Sequence, residues 1–181
     1  ALSSEIMPQL AAHSDAILMN DALFEKIKSV YDRRFSLDLD DEQRRLTEKI
    51  YSRFVRSGAL LSEQDKSRLK QINEQLTSLG VKFGQNVLAE TNAFEFEFEQ
   101  DDLLGVPTQV REAAQEYAKS IDKKGKYIFT LQKPSMLPLL TYAQNREVRE
   151  NIYKAYIARA NNGGENDNND VIAEMVSLRY E

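Results

Sequence analysis

Apolar residues recur every three or four positions along most of the chain, which is the spacing of amphipathic helices. This pattern predicts a mainly α fold, and the strongest helix begins near Ser62 and extends to about Glu90. Gly80 and Gly84 lie inside that helix, where each costs about 1 kcal/mol relative to alanine, so we expect another helix packed closely against them. The predicted inward stripes are Leu23, Ile27 and Tyr31; Leu46, Ile50 and Phe54; Leu69, Ile72, Leu76, Leu79, Phe83 and Val87; Val110, Ala113, Ala114, Tyr117 and Ile121; Val148, Ile152, Tyr156 and Ile157; and Val171, Met175 and Leu178.

One segment departs from the helical period. Residues 94–99 alternate strictly between phenylalanine and glutamate, which predicts a half-buried strand. The only other β-rich run is residues 126–131, so we predict a small two-stranded β patch, about 93–99 and 126–131. A helix is predicted between the two strands, and this order favours parallel pairing. Because two strands are not stable alone, the phenylalanine face should lie on helices.

Length and composition place the chain among ordinary globular proteins. With 181 residues, 41% of them hydrophobic, residues 1–181 form a single helical region, either one domain or part of a larger one. No apolar run approaches the roughly 18 residues that a membrane span needs, and residues 1–5 lack the features of a signal peptide. The chain has no cysteine, which excludes disulfides and thiol nucleophiles. We expect a cytoplasmic protein; a periplasmic location stays open if a signal precedes residue 1.

Charge argues against a nucleic-acid partner, just as the lack of a long apolar run argues against a membrane partner. The formal net charge is -5, with the two signs interspersed, whereas binding to phosphates requires a basic face. The short basic clusters at 33–34, 44–45 and 123–126 are interpreted as solvated surface.

Candidate chemistry is sparse. His13 is the one histidine, so the chain cannot provide a two-histidine zinc site, and it has no nucleophile elbow and no phosphate-binding loop. We interpret His13 as structural, orienting a contact between helices through one ring nitrogen. The acidic run 38–42 and the loop 161–170 lack the spacing of a calcium-binding loop, which favours helix capping and turn formation. No catalytic, cofactor-binding or metal-binding residue is therefore assigned to this chain.

Two alternatives concern peptide binding. The stripe Phe94–Phe98 is a candidate edge for peptide docking by β-augmentation, although core packing is favoured. Tyr153, Tyr156 and Arg159 are candidates to line a peptide path, with packing again favoured.

Five segments taken in order carry a family resemblance: residues 10–17, 51–59, 69–76, 125–132 and 146–160. No single segment is diagnostic, but the ordered set covers nearly the whole chain. In order and spacing the segments resemble the thimet oligopeptidase and oligopeptidase A family of zinc metallopeptidases, and they favour its peptidyl-dipeptidases, the dipeptidyl carboxypeptidases.

The resemblance implies the helical N-terminal region of a zincin-type oligopeptidase, a channel-forming part that admits only short peptides. The full-length protein would be a zinc-dependent peptidyl-dipeptidase that releases C-terminal dipeptides. The family's zinc site, His-Glu-x-x-His with a downstream glutamate, is matched by no residue here. The chain is therefore expected to end before the catalytic zinc-binding segment, to bind no zinc and to be inactive alone. The alternative is a noncatalytic helical scaffold that binds a partner through exposed apolar faces. The fragment is also expected to self-associate through such faces.

Overall fold

A computed structural model describes residues 2–181 and confirms the mainly α fold. None of the helices in these residues combines the length and hydropathy needed to cross a bilayer. In chain order the elements are α1 (Leu2–Leu18), α2 (Asp21–Asp32), α3 (Asp41–Arg56), α4 (Glu63–Ala93), β1 (Glu95–Phe98), a 3₁₀ turn (Asp101–Leu103), α5 (Thr108–Ser120), β2 (Tyr127–Thr130), α6 (Lys133–Tyr142), α7 (Arg146–Ile157) and α8 (Asn169–Tyr180).

The chain divides into two compact units. Unit 1 runs to Lys82 and includes Met175–Glu181, and unit 2 is Phe83–Glu174. The assignment of residues 1–181 to a single helical region of a larger peptidase stays a prediction.

Unit 1 contains a hairpin of α2 and α3 with a small aromatic core. Both helices have side-chain caps: Asn20 accepts from the Leu23 N–H at 2.8 Å, and Asp40 forms a capping box with Gln43. The two helices meet through rings, because Tyr51 stacks on Phe24 with centroids 5.6 Å apart. The buried members of this cluster are Phe24, Phe54 and Ala59.

The predicted inward stripes of α2 and α3 are partly wrong. Leu46 is 57% exposed and Ile50 is 37% exposed, and Leu23 also lies on the surface. The aromatic side chains Phe24, Tyr51 and Phe54 fill the contact between the helices, so the smaller aliphatic residues beside them remain outside it.

Two polar contacts join further helices of unit 1. The carboxylate of buried Asp15 on α1 accepts from the Asn73 Nδ2 of α4 through both oxygens, at 3.0 Å each. The Lys66 side chain on α4, only 5% exposed, is paired with Asp21 and with Glu63. Buried polar groups cost free energy unless they are paired, so these contacts specify how α1 and α2 pack on α4.

The interior of α4 is open at its two glycines. A Cβ added at Gly80 or Gly84 would meet no atom within 4 Å. The expected close approach of another helix is therefore wrong for the described residues, and neither glycine is explained by local packing.

Unit 2 is built around the predicted β patch. The strands are confirmed, but they pair antiparallel, with Glu95 opposite Thr130 and Phe98 opposite Tyr127. The predicted parallel pairing is therefore wrong. Antiparallel pairing requires the connection to start and finish at one end of the sheet. The connection here consists of residues 99–107, which form a loop and a 3₁₀ turn, followed by α5.

The phenylalanine face of β1 packs into the core of unit 2, as expected. The rings of Phe94, Phe96 and Phe98 stack in a row at spacings of 6.0 and 6.2 Å, and Phe98 tilts onto Phe129. The buried core around them includes Leu103, Val106, Ala114, Leu131, Met136, Leu139, Val148 and Ile152.

Candidate functional site

A cleft of about 430 Å³ lies in unit 2 between α5, β2 and the start of α6. Ala113 and Ala114 of α5 are among its lining residues, and their small side chains occupy little of the space beside β2. We call it the apolar cleft. Its lining consists of Gln109, Val110, Ala113, Ala114, Tyr117, Ile128, Phe129, Thr130, Gln132, Pro134 and Ser135.

Polar groups in the lining of the apolar cleft form hydrogen bonds with one another and with Asn92 beside it. The Thr130 N–H donates to the Ser135 Oγ at 3.0 Å, and the Gln132 N–H donates to the Thr130 Oγ1 at 3.4 Å. The Gln132 Nε2 donates to the Asn92 Oδ1 at 3.3 Å. These bonds fix the turn between β2 and α6, so the end of the cleft has a defined shape before any ligand binds.

Tyr117 is the titratable group in the lining. Its hydroxyl donates to the Glu95 Oε1 at 3.2 Å, and Lys123 holds the other oxygen of that carboxylate at 3.1 Å. Desolvation, followed by the Glu95 carboxylate, raises the pKa of Tyr117 above its ordinary value. Tyr117 therefore stays protonated at neutral pH and acts as a hydrogen-bond donor. The lining has no paired acid and base, so its chemistry is that of a binding surface.

The zinc ion implied by the family resemblance does not fit the residues present. Within residues 2–181, no three side chains of His, Cys, Asp or Glu are grouped so that they could hold a metal. His13 lies exposed on α1, and no hydrogen bond of its ring is found in the described chain. The expected contact between helices through a ring nitrogen of His13 is therefore wrong.

The two segments considered for calcium have local structural roles. Asp40, in the acidic run, caps α3. In the loop, Asp167 accepts backbone N–H groups from Asn162 at 2.9 Å, Gly163 at 2.7 Å and Asn169 at 2.7 Å. The amides of Asn169 and Gly163 lower the pKa of Asp167 below its ordinary value. The interpretation of both segments as capping and turn structures is confirmed.

The other candidate peptide-binding residues are mostly engaged elsewhere. The Arg159 guanidinium lies 3.8 Å from the ring centre of Tyr156 and donates to the Thr91 Oγ1 at 3.1 Å. Tyr153 is exposed, and none of Tyr153, Tyr156 and Arg159 lines the apolar cleft. The cleft itself was not predicted from the sequence. Its only signal was the pair of alanines in the predicted stripe of α5, next to a β-rich run.

Comparisons with known proteins identify relatives of the chain. No model of a known protein family matches it. It is 33% identical to the dipeptidyl carboxypeptidase of Salmonella typhimurium over 98% of its length, and 34% identical to oligopeptidase A of Haemophilus influenzae over 97%. It is 29% identical to oligopeptidase A of Escherichia coli over 98%. The chain spans only 26%, 26% and 27% of these relatives, respectively.

These matches confirm the resemblance on which the sequence analysis relied, and the names of the relatives are those of peptidases. Over about a quarter of their length, the chain is a homologue of the dipeptidyl carboxypeptidases and oligopeptidases A.

Proposed function

We propose that this chain is the N-terminal, channel-forming part of a zinc-dependent oligopeptidase that releases C-terminal dipeptides from short peptides, and that it is inactive alone. The match to the Salmonella dipeptidyl carboxypeptidase carries the proposal, because it covers 98% of this chain and 26% of that protein. The residues that hold zinc and activate water would belong to the remaining part of the longer protein.

The apolar cleft supports a role in enclosing substrate. Its wall is mostly apolar, with a few fixed polar groups at Thr130, Gln132 and Ser135, which is the usual make-up of a ligand site. The lack of an acid–base pair in its lining is consistent with binding rather than catalysis. In this proposal the cleft accepts an apolar side chain of a peptide.

Zinc titration and a peptide assay test whether zinc binding and catalysis belong to the remaining part of the longer protein. Calorimetry of this chain should show no stoichiometric zinc site, and mass spectrometry should detect no chelator-sensitive cleavage of a short peptide. The full-length protein should bind zinc and release dipeptides from the peptide's C-terminus. Chelator-sensitive hydrolysis by this chain alone would refute the proposal, as would a full-length protein that removes residues only from the N-terminus.

We also propose a cytoplasmic location for the longer protein, since the cysteine-free composition gives no sign of an oxidising compartment. Fractionation of the source cells tests it. Recovery in a periplasmic or organellar fraction contradicts it.

A second candidate function is self-association through α2 and α3. A groove of about 270 Å³, here called the outer groove, is lined by Lys26, Ile27, Val30, Thr47 and Ile50, and exposed Leu46 lies on the same hairpin. Apolar surface of this kind favours contact with another protein, and we propose a second copy of the chain. Light scattering should then show dimers that Ile50→Glu dissociates, while Leu137→Glu, on an exposed site of α6, leaves them intact. A monomer at high concentration contradicts this candidate.

A further inference from the structure

A second concave site lies in unit 1, at the end of α2 and along α3. It is a groove of about 620 Å³ with a mostly polar wall, and we call it the basic groove. It is a different surface from the apolar cleft of unit 2. Its lining consists of Tyr31, Arg45, Glu48, Lys49, Ser52, Arg53, Arg56 and Ser57.

The cations that line the basic groove form a stripe on one face of α3. Arg45, Lys49, Arg53 and Arg56 follow one another at spacings of four, four and three residues, so they share a face of α3. Cations in the last turn, here Arg53 and Arg56, suit the negative end of the helix dipole. This effect does not account for Arg45 and Lys49, which lie closer to the start of the helix.

Three cations of the basic groove are unpaired. Within residues 2–181, no carboxylate forms an ion pair with Lys49, Arg53 or Arg56. Glu48 is the one carboxylate of the lining, and it is shared at 3.5 Å between Arg34 and Arg45. The groove is therefore positive within a chain whose net charge is -5.

The spacing of the cations indicates the shape of the ligand. From Arg45 to Arg56 the helix rises about 16 Å, and successive cations are about 6 Å apart along the axis. All four together cannot converge on one phosphate or one carboxylate. An extended peptide rises about 3.3 Å per residue, so about five residues would match the stripe. Guanidinium groups also bind carboxylates through paired hydrogen bonds.

We propose that the basic groove binds a short acidic peptide segment in extended conformation, with its carboxylates on Lys49, Arg53 and Arg56. The proposal concerns binding alone, goes beyond the proposed peptidase function and does not depend on it.

Single-stranded nucleic acid fits the groove less well. Its binding normally uses exposed aromatic rings on which bases stack. Tyr31, the aromatic residue of the lining, is covered: the Tyr51 ring and the Arg34 guanidinium each lie 3.9 Å from the centre of its ring. Two groups at that distance occupy opposite faces. The acidic net charge also repels a long polyanion.

Fluorescence anisotropy with a labelled glutamate peptide of about six residues tests the proposal directly. The chain should bind this peptide, should not bind the glutamine peptide of equal length, and should lose affinity as salt rises. The triple variant Lys49→Gln, Arg53→Gln, Arg56→Gln should bind about tenfold more weakly, since each exposed ion pair contributes a small amount.

A matched control changes the net charge equally at another place. The triple variant Lys82→Gln, Lys124→Gln, Lys133→Gln replaces exposed lysines outside the groove and should bind the peptide as the parent chain does. Circular dichroism checks that both variants are folded. Equal weakening in both variants overturns the proposal, because binding would then follow net charge and not the groove.

The Glu48 carboxylate provides a test in which the affinity for the acidic peptide should increase. Glu48→Gln removes the one acidic side chain of the lining and frees Arg45, so the peptide should bind severalfold more tightly. Unchanged or weaker binding would contradict the proposed location.

Competition with oligouridylate decides the ligand class. Unlabelled glutamate peptide should displace the labelled acidic peptide at lower concentrations than oligouridylate does. If oligouridylate is effective at the lower concentration, the proposal is overturned in favour of nucleic acid.

Discussion

The two units stabilise themselves in different ways. Among residues 2–181, the large side chains that are almost completely buried all belong to unit 2, and they include Leu103, Phe129 and Ile152. The hairpin of unit 1 has a small aromatic cluster around Phe24 and Phe54, and it leaves Leu46 and Ile50 exposed. Buried polar groups occur in both units, Asp15 and Lys66 in unit 1 and Glu90 and Asn168 in unit 2, but in unit 1 they accompany a smaller apolar core. The comparison indicates that core substitutions should affect unit 2 most, and that a polar partner provides a larger share of the stability of unit 1.

The largest effect is expected in the core of unit 2. Ile152→Ala removes most of a side chain with 0% exposure and should lower the free energy of unfolding by about 3 kcal/mol, through lost burial and a residual cavity. Urea denaturation followed by circular dichroism measures it. Leu46→Ala in unit 1 is the control and should cost less than about 1 kcal/mol. Similar losses in the two variants would contradict the contrast between the units.

A smaller loss is expected from a polar pair of unit 1. Asn73→Ala removes both hydrogen bonds to the buried Asp15 carboxylate and should cost about 1–3 kcal/mol, because the carboxylate is left without these partners. The same denaturation experiment measures it. Ser78→Ala, at an exposed position of the same helix, serves as the reference. The double variant Asp15→Ala, Asn73→Ala should lose less than the sum of the single changes.

The pH dependence of unit 1 follows from Asp21 and Lys66. The hydrogen bond from Lys66 lowers the pKa of Asp21 below its ordinary value of 3.8, and the bond to Asp21 raises the pKa of Lys66 above 10.5. The Asp21 contribution to stability is complete above its unfolded pKa and is lost as pH falls through the lowered folded value. The Lys66 contribution is complete below its unfolded pKa and is lost as pH rises through the raised folded value.

NMR titration of the Asp21 carboxyl group checks this assignment. Its midpoint should lie below 3.8 in the parent chain and should move upward in Lys66→Met, where the main cause of the shift is absent. Asp167 of unit 2 provides the comparison, since backbone amides lower its pKa and Lys66→Met should leave it unchanged. An Asp21 midpoint that does not move would show that Lys66 is not the cause.

The smallest effect is a gain in stability at the open glycines of α4. Gly80→Ala and Gly84→Ala should each raise the free energy of unfolding by about 0.5–1 kcal/mol, because alanine is the better helix former and its Cβ meets no atom. Thermal unfolding measures the gain. Gly105→Ala should instead destabilise unit 2, since Gly105 has φ +87° and an added Cβ would lie 2.4 Å from the Tyr142 carbonyl oxygen.

Local patterns predicted local structure well. The strict alternation at 94–99 predicted β1 and its inward phenylalanine face, and the aliphatic spacing predicted α4 closely. The direction in which the two strands pair could not be predicted from the local sequence pattern. It depended on the course of the whole connection between the strands, which contains a 3₁₀ turn and a loop before α5.

The sites were harder to predict for the same reason. The apolar cleft is lined by α5, β2 and the start of α6, so it exists only once these elements are packed together. The basic groove requires the folded hairpin: in sequence, Arg45 was interpreted as part of a solvated basic cluster, and Arg56 was not singled out. The exposure of Leu46 likewise depended on tertiary packing, because the aromatic rings of the hairpin, and not Leu46, fill the contact between α2 and α3.

The glutamates of β1 have a consequence for how the chain behaves before it folds. In the native sheet Glu95 pairs with Lys123, while Glu97 and Glu99 pair with Lys126. Those lysines lie far along the chain, so a strand that has not yet found its partner carries its negative charges uncompensated. Copies of the aromatic segment then repel one another, and a sequence well suited to cross-β stacking is protected from aggregation until its own fold neutralises it.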